Sequence, residues 1–318
     1  MRALVRPFTL ICIGLVAVGL IFTSISFAEI DPRSVIAAFL FDDDTETKMI
    51  RDESMKRNSV KVRGRIGYDE GKFGQAIEFP GGVRSSCLDF EKPLLNHLEE
   101  FTIVFWVNRS PAIGWADQEA FVGQHDVIMF YTPQSVTLML RVQPLTKTHP
   151  RLRGAHLHPP NHAGCQDTME CVSVSMKLPG LHIGGVGWTD AGNFVHLAAT
   201  GNQEFMTMYY NGRRGLKFKV NNLAKIGPLV TYGASDASTK IAGCSIVGPE
   251  GGGATNSFPG LIDDFAIFNK ALERDDIKAI MERGLQETVV NDLRAVNTAG
   301  KLALTWGELK TTKYYSVK

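Results

Sequence analysis

The sequence predicts an all-β protein, a two-layer antiparallel sandwich closed by one short C-terminal helix. Three observations carry this. Beyond residue 29 the chain runs in short alternating segments broken by turn residues. An Asn-Gly pair, Asn211-Gly212, stands between two such runs, "MTMYY" and "LKFKV", and accepts the positive φ angles of a two-residue hairpin turn. One stretch, "ALERDDIKAIMERG", sets Ile277, Ile280 and Met281 at helical spacing, loads acids into its first turns and ends at Gly284. With 318 residues, 44% hydrophobic and 21% charged, the chain suffices for one large β-rich domain or two small ones.

Taken in order, residues 1–28 differ from the rest. Arg2 and Arg6 precede an uncharged apolar run that closes at Ser26-Phe27-Ala28, small residues at the two positions a signal peptidase reads. We read an export signal, which leads to the periplasm, the cell surface or the medium. The competing reading is an uncleaved anchor, since no charge falls between Arg6 and Glu29; a membrane is a partner only in that case. Without the signal, 32 basic residues face 33 acidic ones, which removes the electrostatic reason to bind nucleic acid. Cys12 leaves with it, and Cys87, Cys165, Cys171 and Cys244 suit two disulfides in an oxidising compartment. Cys165 and Cys171 are placed for a local bridge; the spacing leaves the pairing of Cys87 and Cys244 open.

The domain proper runs over 29–286. In "FTIVFWV", Phe101, Ile103, Phe105 and Val107 point one way and Thr102, Val104 and Trp106 the other, so this strand is expected to be covered on both faces. The helix is expected as a lid on one edge of the sandwich. Residues 287–318 are expected as a tail, with "KLALTWGEL" a candidate short strand.

Six segments in order resemble the LamG-like jelly-roll domains of the concanavalin A-like lectin and glucanase superfold. They are "VIAAFLFDDD" at 35–44, the polar loop "IRDESMKRNSVKVRG", "GKFGQAIEF" at 71–79, "FTIVFWVN", "NFVHLAATGNQEFMTMYYNGRRG" and "GLIDDFAIFNKAL". The resemblance covers 35–284 and implies a jelly roll. Two departures stand out: "FPGG" at 79–82 lacks the family's acid, and about 141–190 has no family counterpart and reads as an insertion.

Asp263 and Asp264 interrupt the apolar run "SFPGLIDDFAIF". Strand alternation sends them to opposite faces, whereas a glycosidase needs two carboxyls converging within roughly 5–9.5 Å. The Glu-x-Asp-x-x-Glu pattern of the superfold's glucanases is missing as well, so the chain is expected not to be an enzyme. The resemblance implies instead a structural calcium ion joining the first strand to the last, with Asp42 and Asp263 as ligands and Asp52 or Asn58 nearby. Against it stands a plainer reading, in which Asp263 bonds loop amides and Asp264 faces water.

The insertion carries His149, His156, His158 and His162, followed by Cys165 and Cys171. This is zinc chemistry by residue type but follows no established zinc spacing, and a disulfide-closed solvated loop explains it as well. His196 shares a strand face with Phe194 and Ala198 and reads as a structural group. The expected function is an exported, non-catalytic module that recognises a glycan, or a protein of the envelope or extracellular space, through rim loops. Trp115, His156, His158, His162 and Trp188 are the candidate contacts, with core packing the competing role for Trp188. The alternatives are a polysaccharide hydrolase and a purely structural or adhesive envelope component.

Overall fold

The computed structural model describes residues 30–43, 50–83, 86–110, 119–124, 127–134, 137–142, 144–146, 172–177, 192–219, 229–232, 235–244 and 256–294. Strands dominate it and the one α-helix, Arg274–Leu285, comes near the C-terminal end, as the sequence predicts.

The thirteen-residue last strand, Asn256–Phe268, organises the sheet. Along one side it pairs antiparallel with Phe101–Arg109. On its other side the partner changes midway. Its first half pairs with Gln75–Val83, down to Ile262 opposite Ile77, and its second half with Val35–Phe39, from Phe265 opposite Phe39 to Phe268 opposite Val35. From Phe101–Arg109 the ladder continues through Val195–Gly201, Phe205–Tyr210 and Arg213–Lys219. The last two form the expected hairpin, with Asn211 and Gly212 at φ 45° and 67°, both left-handed as its two-residue turn requires.

Alternation sorts the side chains into two layers. Phe39, Phe105, Phe121, Phe130, Phe258 and Phe265 interlock in the interior, with Phe105 stacked on Phe265 at 5.7 Å and meeting Phe130 edge-on at 5.5 Å. On the opposite face Val104, Ala198, Tyr209, Ala266 and Phe268 pack against Ile277, Ile280 and Leu285 of the helix. The Phe101–Arg109 strand is thus covered on both faces. The helix lies on the outer face of the sheet rather than at its edge, because that face is itself apolar and would otherwise meet water; each such side chain buried contributes roughly 1.5–3 kcal/mol.

Two further differences from the sequence reading appear at the C-terminal end. Gly284 does adopt positive φ, 77°, yet the chain resumes as a π-turn over Gln286–Val290 and stays helical to Arg294. Residues 287–294, expected in the tail, therefore pack on the domain through Val289, Val290 and Leu293. Cys87 and Cys244 form a disulfide, brought to a Cα separation of 5.5 Å by pairing of Lys240 with Asp89 and Ile241 with Leu88.

Candidate functional site

The point where the last strand changes partner is where the two aspartates sit. Asp263 is opposite Trp106, Ala266 opposite Val104, and the ladder shifts by one residue between them. Asp264 takes up the extra residue at φ 46°, a left-handed conformation that Asp tolerates better than most side chains. The bulge overturns the alternation argument: both carboxylates lie on the outer face. Asp263 Oδ2 accepts the Lys72 and Phe73 amides at 2.7 and 2.9 Å, and Oδ1 accepts the Asp264 amide at 2.7 Å. Asp264 Oδ2 accepts the Leu285 amide at 2.7 Å, which pins the end of the helix, so it does not face water. Asp42, just beyond the first strand, accepts the Gln75 amide at 2.7 Å. Residues from the two ends of the domain thus hold one loop, Gly71–Gln75. Gly74 lies at φ +70° against the Asp42 carboxylate, where a Cβ would collide with it.

Burial dominates the electrostatics of this cluster. Asp263 is pushed up to about 7 by desolvation, with its three amides pulling the other way. Asp264 is pushed up to about 8 by desolvation and by the neighbouring Asp263, and has one amide to oppose them. Asp264, with fewer donors, therefore holds its proton to the higher pH. Across the same face Trp106 meets Phe73 edge-on at 6.3 Å and His196 at 5.1 Å, and Lys72 Nζ sits 5.0 Å from the Trp106 ring. His196 is fully buried, and neither its ring nitrogens nor Trp106 Nε1 has a hydrogen-bond partner among the described residues. Desolvation lowers the His196 pKa to about 3, so it packs as a neutral ring. Its burial against Trp106 agrees with the expected structural role.

The four residues expected around calcium do not form one donor set. Asp52 accepts from Ala38 N, Ser54 N, Ser54 Oγ, Asn58 N and Asn58 Nδ2, all within 2.6–2.9 Å, and so fastens the 50–60 loop to the first strand. Asn58 Nδ2 also donates to Ile36 O, so the amide nitrogen of that side chain ties the loop to the first strand. Asp42 and Asp263 serve the other loop. Calcium takes six to eight oxygens; both Asp263 oxygens and both Asp52 oxygens accept from N–H or O–H donors, and Asp42 accepts through Oδ1. Among the described residues no three His, Cys, Asp or Glu side chains are grouped to hold a metal ion.

Trp115, His156, His158, His162, Trp188, Cys165 and Cys171 lie outside the described residues. A concavity that sequence reasoning missed lies beside the Asp52 anchor. The 50–60 loop and Leu293–Arg294 enclose a groove of about 610 Å³. Glu53 joins its two walls, with Oε1 3.0 Å from Arg51 Nε and Oε2 3.3 Å from Arg294 Nη2. Its signal in sequence was the charge-dense run "IRDESMKRN", read there only as a polar loop.

No protein-family model and no curated protein matches the chain. Among solved structures, the binding domain of Paraclostridial Mosquitocidal Protein 1 aligns with a TM-score of 0.52 at 12% identity, over 79% of this chain and 52% of that one. Domain 4 of AbnA, a GH43 extracellular arabinanase from Geobacillus stearothermophilus, in complex with arabinotriose, aligns at 0.49 and 17% identity, over 78% of this chain and 98% of that one. The binding domain of Botulinum neurotoxin DC, in complex with rat synaptotagmin II, aligns at 0.49 and 13%, over 79% and 52%. The chain spans about half the length of the toxin binding domains it matches. At these identities the likeness concerns the fold, a β-sandwich.

Proposed function

We propose that the protein is an exported, non-catalytic recognition module that binds a glycan or a protein partner through loops at the rim of the sandwich. The observation that carries this reading is the contrast between the acids and the groove. Asp263 and Asp264 are buried beneath the helix and the 71–75 loop with their oxygens on backbone amides, as anchors are. The groove is open, polar and set on a loop made rigid by Asp52, as recognition surfaces are. Likeness in fold to a toxin's binding domain agrees with a binding role, as a fold-level analogy. Export is supported by the Cys87–Cys244 cystine, a bond of oxidising compartments.

A glycan array and a polysaccharide hydrolysis panel on the purified protein test the reading together. Specific binding without sugar release is expected; release of reducing ends from any polysaccharide would replace it with the hydrolase alternative. We propose further that the seam holds without calcium. Melting in the presence of a chelator is expected to leave the midpoint unchanged, and a fall of several degrees on chelation, reversed by added calcium, would restore the ion to the seam.

A further inference from the structure

Resting on the recognition reading above, we propose that the groove between the 50–60 loop and Arg294 is the ligand site, and that its ligand is an anionic saccharide carrying carboxylate or sulfate groups. The groove's volume of about 610 Å³ falls within the range of preformed small-ligand sites, roughly 300–1,000 Å³. Among its described lining residues the basic groups outnumber the acidic ones by one, with Asp43 close by on the Arg51 amide. Three guanidinium groups, Arg51, Arg57 and Arg294, line it with two carboxylates, Asp52 and Glu53.

Neither carboxylate is available to the third arginine. Asp52 is 5% exposed and spends its oxygens on four donors of its own loop and on the Ala38 amide of the first strand. Glu53 gives one oxygen to Arg51 and the other to Arg294. Arg57 is exposed and has no carboxylate partner among the described residues. Its backbone sits at φ 45°, held there by the Arg57 amide on Ser54 O at 3.2 Å and by Asn58 anchored on Asp52. A non-glycine residue kept in that conformation by its surroundings is a feature of binding loops. The guanidinium fork matches carboxylate and sulfate oxygens.

The other lining groups suit a sugar. Met55, the one exposed large hydrophobic side chain among the described residues, and the half-buried Ile50 and Val60 offer apolar surface to the C–H face of a pyranose. An acidic peptide would be expected to add along a strand, and no strand enters the lining.

The test is calorimetric titration of the full protein with three oligosaccharides of equal length: an oligouronate, a sulfated oligomer and an uncharged one. The expected result is binding of one or both charged oligomers, about tenfold or more tighter than the uncharged one, with the two charged arms separating carboxylate from sulfate recognition. Arg57→Ala is expected to weaken that binding about tenfold and Arg57→Glu to abolish it, both with an unchanged melting midpoint because Arg57 is exposed and has no ion-pair partner among the described residues. Equal affinity for charged and uncharged oligomers, unchanged binding in Arg57→Glu, or preferential capture of an acidic peptide would each overturn the assignment. The two levels fail separately. Sugar binding on the array that ignores the Arg57 substitutions removes the groove and leaves the recognition module standing, whereas failure of every saccharide and protein probe removes both.

Discussion

Replacing Asp263 by alanine is expected to cost about 4 kcal/mol, the sum of three backbone N–H groups left without an acceptor at about 1–3 kcal/mol each. Those donors are the amides of Lys72, Phe73 and Asp264, and the carboxylate that accepts from them is fully buried. Asp264→Asn behaves differently. Its side-chain oxygen still accepts the Leu285 amide, and the like charge beside Asp263 is gone. The two substitutions also separate by pH. Both carboxyls have folded pKa values, about 7 and about 8, above the unfolded 3.8, so the folded state holds protons that the unfolded state has released. Their contribution is therefore complete at low pH and lost as pH rises toward 8.

His196 has the opposite sign. Its folded value near 3 lies below the unfolded 6.5, so its contribution is lost as pH falls below 6.5. The two effects oppose each other between about pH 4 and 6.5, and the carboxylates act alone above that range. Parent stability is thus expected to fall between pH 6.5 and 8, and Asp264→Asn is expected to flatten that fall and to match or exceed the parent at pH 8 and above. Urea denaturation of the parent and both variants across this range is the measurement. A parent-like Asp263→Ala, or an Asp264→Asn that is less stable than the parent at alkaline pH, would dismantle the seam.

The parts of this arrangement that follow from periodicity were legible in the sequence. The covered strand Phe101–Arg109, the Asn211-Gly212 hairpin and the helix at 274–285 each depend on local rules of spacing and turn chemistry. The pairing of two distant acids with one loop was legible only through resemblance, which implied calcium, whereas the partners seen at Asp42 and Asp263 are backbone amides. The bulge at Asp264 could not be read, because a single extra residue in a ladder is decided by the partner strands, here a change from Gln75–Val83 to Val35–Phe39. The groove was hidden for a related reason. Its two walls are more than two hundred residues apart, and in the sequence Gly284 is a local stop signal that sets the chain around Arg294 outside the helix. What extends the helix past it is burial of Val289, Val290 and Leu293 on the outer face, a tertiary effect that overrides a local stop signal.

Removing the Cys87–Cys244 bond is the second large effect, expected to cost about 5 kcal/mol by loop entropy for a closure of 157 residues. The native state needs little from the bond itself, since the 87–89 and 239–241 strands are already paired and Ser257 Oγ bonds both the amide and the carbonyl of Ser86. The unfolded state is where the constraint acts. The enclosed segment contains most of the sheet, and its ends must otherwise find each other across a long chain. Against a total stability of about 5–15 kcal/mol, the loss is a large fraction, equivalent to a fall in melting temperature of about 10–20 °C. Because Cys87 is fully buried, a mild reductant is expected to leave the native bond intact and to open it once denaturant is added. Melting of the Cys87→Ala/Cys244→Ala double variant against the parent measures the first effect, and thiol labelling with and without denaturant the second. A double variant within about 2 °C of the parent would show that strand pairing alone closes the loop, and the cystine would then lose its standing as the support for export.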